Sequence, residues 1–313
     1  MRSLYDHILA ECRELRRRIC HWCAAKPTTV LQMSQNNRLH HNAPTHVPSG
    51  IETLDRCLKG GLRVGCITEI FGKAGTGKTQ LAMQICAETA KRGHVAAYIE
   101  TENKFSLKRL EQIVIGQVQG SCKDPMKILD KIMMYSAWDI EGLRAAISAV
   151  EVEACARCDP EGTESFVPFS VLVVDSIASP ARRVFGKGQV ASRAQSLMEF
   201  ALVLKRMAET LKVAVVVVNQ IGGSSYQSDN HHDTIDKKND EVEVAGALGN
   251  SWHHCATTRL LVQRAESSAE SAEQTRTVTI TKSSVLQGGS SILLSLTEKG
   301  FESQAEPDAS MMC

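Results

Sequence analysis

Apolar and polar positions follow two different periods along the chain, and their alternation predicts strands followed by helices. Short apolar runs such as residues 95–100 and 171–175 are typical of buried parallel strands, because helices cover both faces of such a sheet. Helical spacing follows, most clearly at Leu197, Leu204 and Leu211. This order of elements predicts an α/β fold with a twisted, mainly parallel sheet flanked by helices.

The boundaries of the predicted elements fall where apolar runs meet polar or turn-forming residues. Ser106 precedes one helical pattern and is predicted to cap that helix, since its side chain can accept a backbone N–H. Three late apolar segments are interpreted as antiparallel strands. The predicted strands cover residues 66–71, 95–100, 132–135, 171–175, 213–218, 259–263, 278–281 and 292–296, and the predicted helices cover residues 106–118, 140–153 and 197–211.

The first part of the chain has a different pattern. Apolar residues recur every three or four positions at Leu4, Ile8, Cys12, Leu15 and Ile19. This spacing predicts a helix over residues 1–24, favoured as a docking helix, with a partner- or nucleic-acid-binding arm as the alternative. Residues 25–48 are polar, contain three prolines, and are predicted to form a linker.

Composition narrows the class of protein. Hydrophobic residues make up 43% of the 313 residues, enough for a sizeable core. The formal net charge of +1 gives no sign of a nucleic-acid partner, so only local charge could attract one. No apolar run reaches membrane-spanning length, and no membrane partner is expected. Eleven cysteines without a secretory signal indicate reduced thiols and a nuclear location, with the cytoplasm as the alternative.

Two Cys-x-x-Cys pairs, Cys20 with Cys23 and Cys155 with Cys158, resemble halves of a zinc site. His40, His41 and His46 add further potential ligands. The two pairs lie more than a hundred residues apart, which is not the spacing of a compact zinc ribbon. We therefore expect no structural zinc.

One motif has a specific chemical meaning. The segment GKAGTGKT matches the phosphate-binding loop G-x-x-x-x-G-K-[ST], and it lies between a predicted strand and a predicted helix, as the motif requires. Its backbone N–H groups and the helix N-terminus would face nucleotide phosphates. Lys78 would pair with the β- and γ-phosphates, and Thr79 would offer a hydroxyl to Mg²⁺. The predicted nucleotide-binding residues are Gly72, Lys73, Ala74, Gly75, Thr76, Gly77, Lys78 and Thr79.

Polar residues end the neighbouring predicted strands, where ligands of such sheets bind. Asp175 ends the run 171–175 and is predicted to help hold Mg²⁺ together with Thr79. Hydrolysis also needs a group that orients the attacking water. Glu100 and Glu102 are both candidates, and the position of the strand end does not decide between them.

Six motifs in order resemble the core of the RecA/RadA recombinase superfamily, in its eukaryotic branch. They are GCITEIFG leading into GKTQ (65–80), YIETE (98–102), Phe105 with KRL (108–110), VVDS (173–176), VNQ (218–220) and ALGNSW (247–252). The details are similar to recombination-repair paralogues, most of all the X-ray-cross-complementing type, although a second paralogue type fits almost as well. The resemblance covers residues 47–302, leaving a helix and polar linker over 1–46 and a C-terminal tail over 303–313.

The resemblance implies roles for individual residues. Glu102, rather than Glu100, matches the family's water-activating glutamate. Arg109 matches the arginine that stacks on adenine. Gln220 matches the glutamine that senses the γ-phosphate, so the implied catalytic set is Lys78, Glu102 and Gln220.

The resemblance also implies a function. It predicts an ATP- and Mg²⁺-binding repair protein with weak DNA-dependent ATPase activity, which assists a recombinase on single-stranded DNA within a hetero-oligomer of paralogue subunits. An active strand-exchange recombinase, a non-catalytic ATP-bound scaffold and an unrelated ATPase with the same fold are the alternatives. The family's N-terminal helical domain needs more residues than the 46 here, so we expect it to be reduced or absent. No Phe precedes Phe71, whereas the recombinase's self-assembly motif needs one.

The two segments that match the family's DNA-facing loops differ in charge. Residues 176–195 contain Arg182, Arg183, Lys187 and Arg193 and no acidic residue. Residues 221–245 contain six acidic residues and two lysines. Because affinity for single strands comes mainly from phosphate neutralisation, we expect weak DNA binding through the first loop and no strand exchange by the isolated chain.

Overall fold

The computed structural model describes residues 29, 31, 44–157, 168–185, 189–221, 249–265, 274–284 and 288–304. The chain divides into two compact units, Met1–Pro44 and Thr45–Cys313. All helices and strands given below belong to the second unit. The helix predicted over residues 1–24 lies outside the described residues, as do the tail from residue 305 onward and the second predicted DNA-facing loop beyond Ile221.

The second unit is built on one large sheet. Its nine strands have the order β11-β10-β9-β8-β3-β7-β6-β4-β5, and a separate hairpin joins β1 to β2. The strands are β1 (His46–Val47), β2 (Leu62–Arg63), β3 (Ile67–Gly72), β4 (Val95–Glu100), β5 (Ile132–Ser136), β6 (Phe169–Asp175), β7 (Ala214–Gln220), β8 (Thr258–Arg264), β9 (Thr275–Lys282), β10 (Ser291–Thr297) and β11 (Gly300–Ser303).

Helices cover both faces of this sheet. They are α1 (Glu52–Cys57), α2 (Lys78–Lys91), α3 (Leu107–Val118), α4 (Pro125–Leu129), α5 (Ile140–Ala156), α6 (Ala178–Val184), α7 (Val190–Leu211) and α8 (Gly249–Cys255). Within the described ranges, no helix is long and apolar enough to cross a membrane. The predicted α/β architecture is confirmed.

The core forms two layers, one on each face of the sheet. Alternate residues of β6 belong to different layers: Val171 and Val173 pack with α2 and α3, whereas Leu172 and Val174 pack with α5 and α7. This two-sided burial explains why β6 is a continuous apolar run rather than an alternating pattern.

Parallel pairing joins β5, β4, β6, β7, β3 and β8, and antiparallel pairing joins β8 to β11. The prediction that the strand over 259–263 is antiparallel is therefore wrong on one side, since β8 runs parallel to β3. Helix α8 precedes β8, and a crossover of this kind allows parallel pairing.

Three local predictions can also be compared with the structure. The Ser106 side chain accepts the backbone N–H of Arg109 at 3.3 Å, which confirms the predicted N-cap. The segment 176–195, predicted as a loop, instead contains α6 and the start of α7. Pro180 is compatible with α6 because it lies in the first turn, where its missing N–H breaks no helical hydrogen bond. His46 and Val47, at the end of the predicted linker, form β1.

Candidate functional site

The phosphate-loop sequence connects β3 to the N-terminus of α2. Gly77 precedes the helix with φ of 100°, a left-handed conformation that disfavours side-chain-bearing residues. At Gly72, an added Cβ would lie 2.2 Å from the Val262 carbonyl oxygen, so only glycine fits beside the neighbouring strand. The loop's glycines are thus required by its backbone path.

Lys78 is almost fully buried, and its side chain reaches back from the start of α2 to the beginning of the phosphate loop. Its Nζ donates a hydrogen bond to the Lys73 carbonyl oxygen at 2.6 Å. Burial lowers the pKa of Lys78, and the carboxylates of Asp175 and Glu102 oppose this effect. The carboxylates of Asp175 and Glu102 therefore both stabilise the charged form of Lys78.

Asp175, at the end of β6, receives two hydroxyl donors on one oxygen. Thr79 Oγ1 and Tyr98 Oη donate hydrogen bonds to its Oδ2 at 2.6 Å and 2.7 Å. Burial raises the pKa of Asp175, and these two hydrogen bonds act in the opposite direction. A carboxylate beside a threonine hydroxyl is a set of hard oxygen donors that fits Mg²⁺. The peptide bond from Asp175 to Ser176 is cis.

The two glutamates after β4 have different surroundings. Glu100 is buried, and its Oε1 accepts the backbone N–H groups of Glu102 at 2.9 Å and Lys104 at 3.0 Å. Its carboxylate thus stabilises the turn that follows the strand.

Glu102 lines a cavity and is held by side chains. Its Oε1 accepts a hydrogen bond from Ser176 Oγ at 2.7 Å, and its Oε2 pairs with Lys104 Nζ. Arg182 Nη2 lies 3.7 Å from Oε1. Burial raises the pKa of Glu102, but these partners outweigh it, so the pKa is lowered.

These groups converge on one cavity of about 430 Å³. It lies at the carboxyl ends of the neighbouring strands β3, β7, β6 and β4. Eight of the predicted residues line it, namely Ala74, Gly75, Gly77, Lys78, Thr79, Glu102, Asp175 and Gln220. Arg276 of β9 and Leu296 of β10 also line it, and the sequence pattern did not indicate either.

The strand end that presents Gln220 is joined to β3 by buried polar contacts. The register pairs Gln220 with Gly72. Asn219 Nδ2 donates to Glu69 Oε1 at 2.7 Å, and Arg259 Nε donates to Glu69 Oε2 at 2.5 Å. The start of the phosphate loop and the end of β7 therefore keep a fixed spacing.

Arg109 lies outside the residues that line the cavity. Its guanidinium donates to Gln80 Oε1 at 2.7 Å and to the carbonyl oxygens of Thr297 and Glu298 at 2.6 Å and 2.7 Å. It therefore joins α3 to α2 and to the turn between β10 and β11. Its role at adenine remains a prediction.

The predicted DNA-binding residues are distributed over two helices. Arg182 and Arg183 lie in α6, and Arg193 lies in the first turn of α7. Arg183 Nη1 donates to the Trp138 carbonyl oxygen at 2.6 Å. Lys187 lies outside the described residues.

Tyr98, Ser176 and Lys104 contribute to the site but were not among the predicted residues. Tyr98 falls two positions before Glu100, so the alternation of a strand places both on one face. That signal is weak, because tyrosines in strands commonly pack in cores. The described ranges contain no cluster of three metal-binding His, Cys, Asp or Glu residues. Cys20, Cys23, His40, His41 and Cys158 lie outside them.

Comparison with known proteins agrees with the geometry. A family model described as Rad51 matches residues 42–303. DNA repair protein RAD51 homolog 2 of Mus musculus is 29% identical over 267 residues, which cover 78% of this chain and 73% of that protein. DNA repair protein XRCC3 of Bos taurus is 30% identical over 230 residues, covering 69% and 62%.

A meiotic protein is similar as well. Meiotic recombination protein DMC1 homolog A of Oryza sativa subsp. indica is 31% identical over 229 residues, covering 70% of this chain and 59% of that protein. The chain thus spans about three fifths of two of these three relatives. The Rad51 match extends over the whole described sheet and confirms both the resemblance and the RecA-like core. The chain therefore belongs to the Rad51 family, in the eukaryotic recombination-paralogue branch of the RecA/RadA superfamily.

Proposed function

We propose that this chain is an ATP-binding recombination paralogue with weak DNA-dependent ATPase activity. It acts in homologous-recombination repair in the nucleus, as one subunit of a hetero-oligomer that assists a recombinase on single-stranded DNA. Its relatives are DNA repair and meiotic recombination proteins by name, which supports the biological setting. The chemistry is supported by the cavity.

The observation that carries the proposal is the convergence of Lys78, Thr79, Asp175, Glu102 and Gln220 on one cavity at the end of the phosphate loop. Lys78 binds the β- and γ-phosphates, and the N-terminus of α2 adds its dipole. Thr79 and Asp175 hold Mg²⁺, which neutralises phosphate charge when bound. Gln220 lines the same cavity and would contact the γ-phosphate, so the part of the cavity beside Gln220 is called its γ-phosphate end.

Between the two glutamates, the surroundings favour Glu102 as the group that orients water. The Glu100 carboxylate accepts two backbone N–H groups and is 6% exposed, so moving it would leave buried donors unpaired. Glu102 faces the cavity, and its partners are side chains that can rotate away. Its lowered pKa keeps it a carboxylate, as an acceptor of a water proton requires.

A non-catalytic, ATP-bound scaffold is the second candidate. It is favoured by the ion pair between Lys104 and Glu102, because this pair occupies one oxygen of the carboxylate that would have to face the attacking water. Measured turnover distinguishes the two functions.

The test of nucleotide binding is a change at Lys78. Lys78→Ala removes the charge that pairs with the phosphates and should weaken ATP–Mg²⁺ binding at least tenfold, a loss typical of a charged hydrogen bond. Lys78→Arg keeps the charge but enlarges the head group, so it should bind ATP and hydrolyse it poorly. Isothermal titration measures both affinities. Lys127→Ala, which removes an exposed lysine from α4, is the matched control, and parental affinity in Lys78→Ala would disprove the assignment.

DNA binding is tested by titrating the isolated chain with labelled single strands at several salt concentrations. We expect weak binding with a shallow salt slope, because few phosphates are neutralised. Binding should vanish in the double variant Arg182→Ala/Arg183→Ala. Tight binding that survives the double change, or strand exchange by the isolated chain, would contradict the proposal.

A further inference from the structure

Three side chains hold the Glu102 carboxylate, and they differ in where they come from. Lys104 belongs to the same loop as Glu102. Ser176 follows directly after Asp175 and donates at 2.7 Å. Arg182 lies on α6, and its Nη2 is 3.7 Å from the Glu102 carboxylate. Arg182 is thus the cation from a separate helix.

Arg182 also remains accessible from solvent. Its side chain is 38% exposed, whereas that of Glu102 is 14% exposed. Its neighbour Arg183 is directed elsewhere, since its guanidinium donates to the Trp138 carbonyl oxygen. Of the two adjacent arginines, only Arg182 approaches both the cavity and the surface.

We propose that Arg182 is a positioning residue that makes ATP hydrolysis depend on single-stranded DNA. Without DNA, Arg182 attracts Glu102 toward α6 and away from the γ-phosphate end of the cavity. A DNA phosphate that pairs with Arg182 removes this attraction and releases the carboxylate. This inference rests on the proposed function, because it assigns the regulation of the same site.

The contact has a strength that suits such a switch. In double-mutant cycles on other proteins, exposed ion pairs contribute energies that change the ratio of paired to released states by up to about fivefold. A phosphate group can form a stronger, bidentate pair with arginine through two of its oxygens, so it can compete for the guanidinium. Ser176 and Lys104 still hold Glu102 after release, which limits the gain in rate.

The experiment compares Arg182→Ala, Arg182→Lys and Arg183→Ala in the full chain. Steady-state ATP turnover is measured without DNA and with saturating oligothymidylate, together with KM for ATP. Arg182→Ala should raise DNA-free kcat about two- to fivefold at unchanged KM, and should lower the DNA stimulation ratio by a similar factor. Arg182→Lys should restore part of the stimulation, because lysine keeps the charge without the bidentate geometry.

Two control variants separate this effect from a general effect of removing a positive charge. Arg183→Ala removes the same charge from the same helix and should keep the parental stimulation ratio once DNA is saturating. Arg206→Ala removes an exposed ion pair between α7 and Glu151 of α5, away from the cavity, and should leave DNA-free turnover unchanged.

Each outcome has one meaning. Parental DNA-free turnover and parental stimulation in Arg182→Ala would overturn the inference while leaving the proposed ATPase intact. A parent chain that binds ATP but shows no turnover would overturn both the hydrolytic function and this inference. A parent chain that hydrolyses ATP without any response to DNA would overturn the inference and the DNA dependence.

Discussion

Removing a single oxygen from Tyr98 tests how Asp175 is stabilised. Tyr98 is 1% exposed, and its hydroxyl donates to Asp175 Oδ2 at 2.7 Å. Tyr98→Phe deletes this donor and keeps the ring, which packs edge-on against Phe105 with ring centroids 5.1 Å apart. The change therefore reports on the hydrogen bond rather than on core packing.

The expected loss follows from the charge of the acceptor. A hydrogen bond to a charged group contributes about 1.5–3 kcal/mol, so the free energy of unfolding of Tyr98→Phe at neutral pH should fall by that amount. For a unit of this size, the loss corresponds to a Tm lower by about 3–12 °C. Thermal unfolding of the nucleotide-free chain measures it, with Tyr135→Phe on the neighbouring strand β5 as the control.

The pH dependence gives this prediction its sign. Burial raises the folded-state pKa of Asp175 above its ordinary value, so the stability due to Asp175 is greatest at low pH and is lost as pH rises through that pKa. Loss of the Tyr98 hydroxyl raises the pKa further, which increases the destabilisation at neutral pH. Below the folded-state pKa the Asp175 carboxyl group is neutral, so the loss of unfolding free energy caused by Tyr98→Phe should fall to about 0.5–1.5 kcal/mol. Parental stability at neutral pH, or a cost that does not shrink on acidification, would refute the reasoning.

Two further predictions concern the glutamates and the cysteines. Glu102→Gln should abolish ATP turnover with unchanged ATP affinity, because the group acts on water. Glu100→Gln should have a much smaller effect, since its amide oxygen can still accept the two backbone N–H groups. Parental turnover in both variants would favour the scaffold function. Dialysis against a chelator should leave the Tm of the nucleotide-free chain unchanged, and a large drop reversed by zinc would restore the zinc interpretation of the Cys-x-x-Cys pairs.

Local sequence signals predicted the parts of the site that depend on neighbours in the chain. The phosphate loop, its flanking strand and helix, and the Ser106 cap all follow from residue types at fixed spacings. The continuous apolar run of β6 also predicted that Asp175 would lie at the carboxyl end of a strand in a parallel sheet.

Contacts between distant segments could not be predicted in this way. The bond from Tyr98 to Asp175 depends on the register of β4 against β6, which pairs Glu100 with Asp175. Likewise, Arg276 reaches the cavity only because β9 joins the sheet beside β8. Helix α6 was missed because Ser and Pro are typical of turns, and Pro180 is tolerated only in the first turn of the helix.

The strand arrangement also limits how Gln220 can respond to a nucleotide. Its backbone is paired in register with Gly72, and the next N–H, that of Ile221, donates to the Gly72 carbonyl oxygen at 3.1 Å. The preceding residue, Asn219, is bonded to the buried carboxylate of Glu69 on β3. A slip of β7 along β3 would break these contacts together and leave Glu69 partly unpaired in the core, at a cost of several kcal/mol. If Gln220 senses the γ-phosphate as proposed, we expect it to respond by rotation of its side chain, whereas the strand that carries it stays fixed to the phosphate loop.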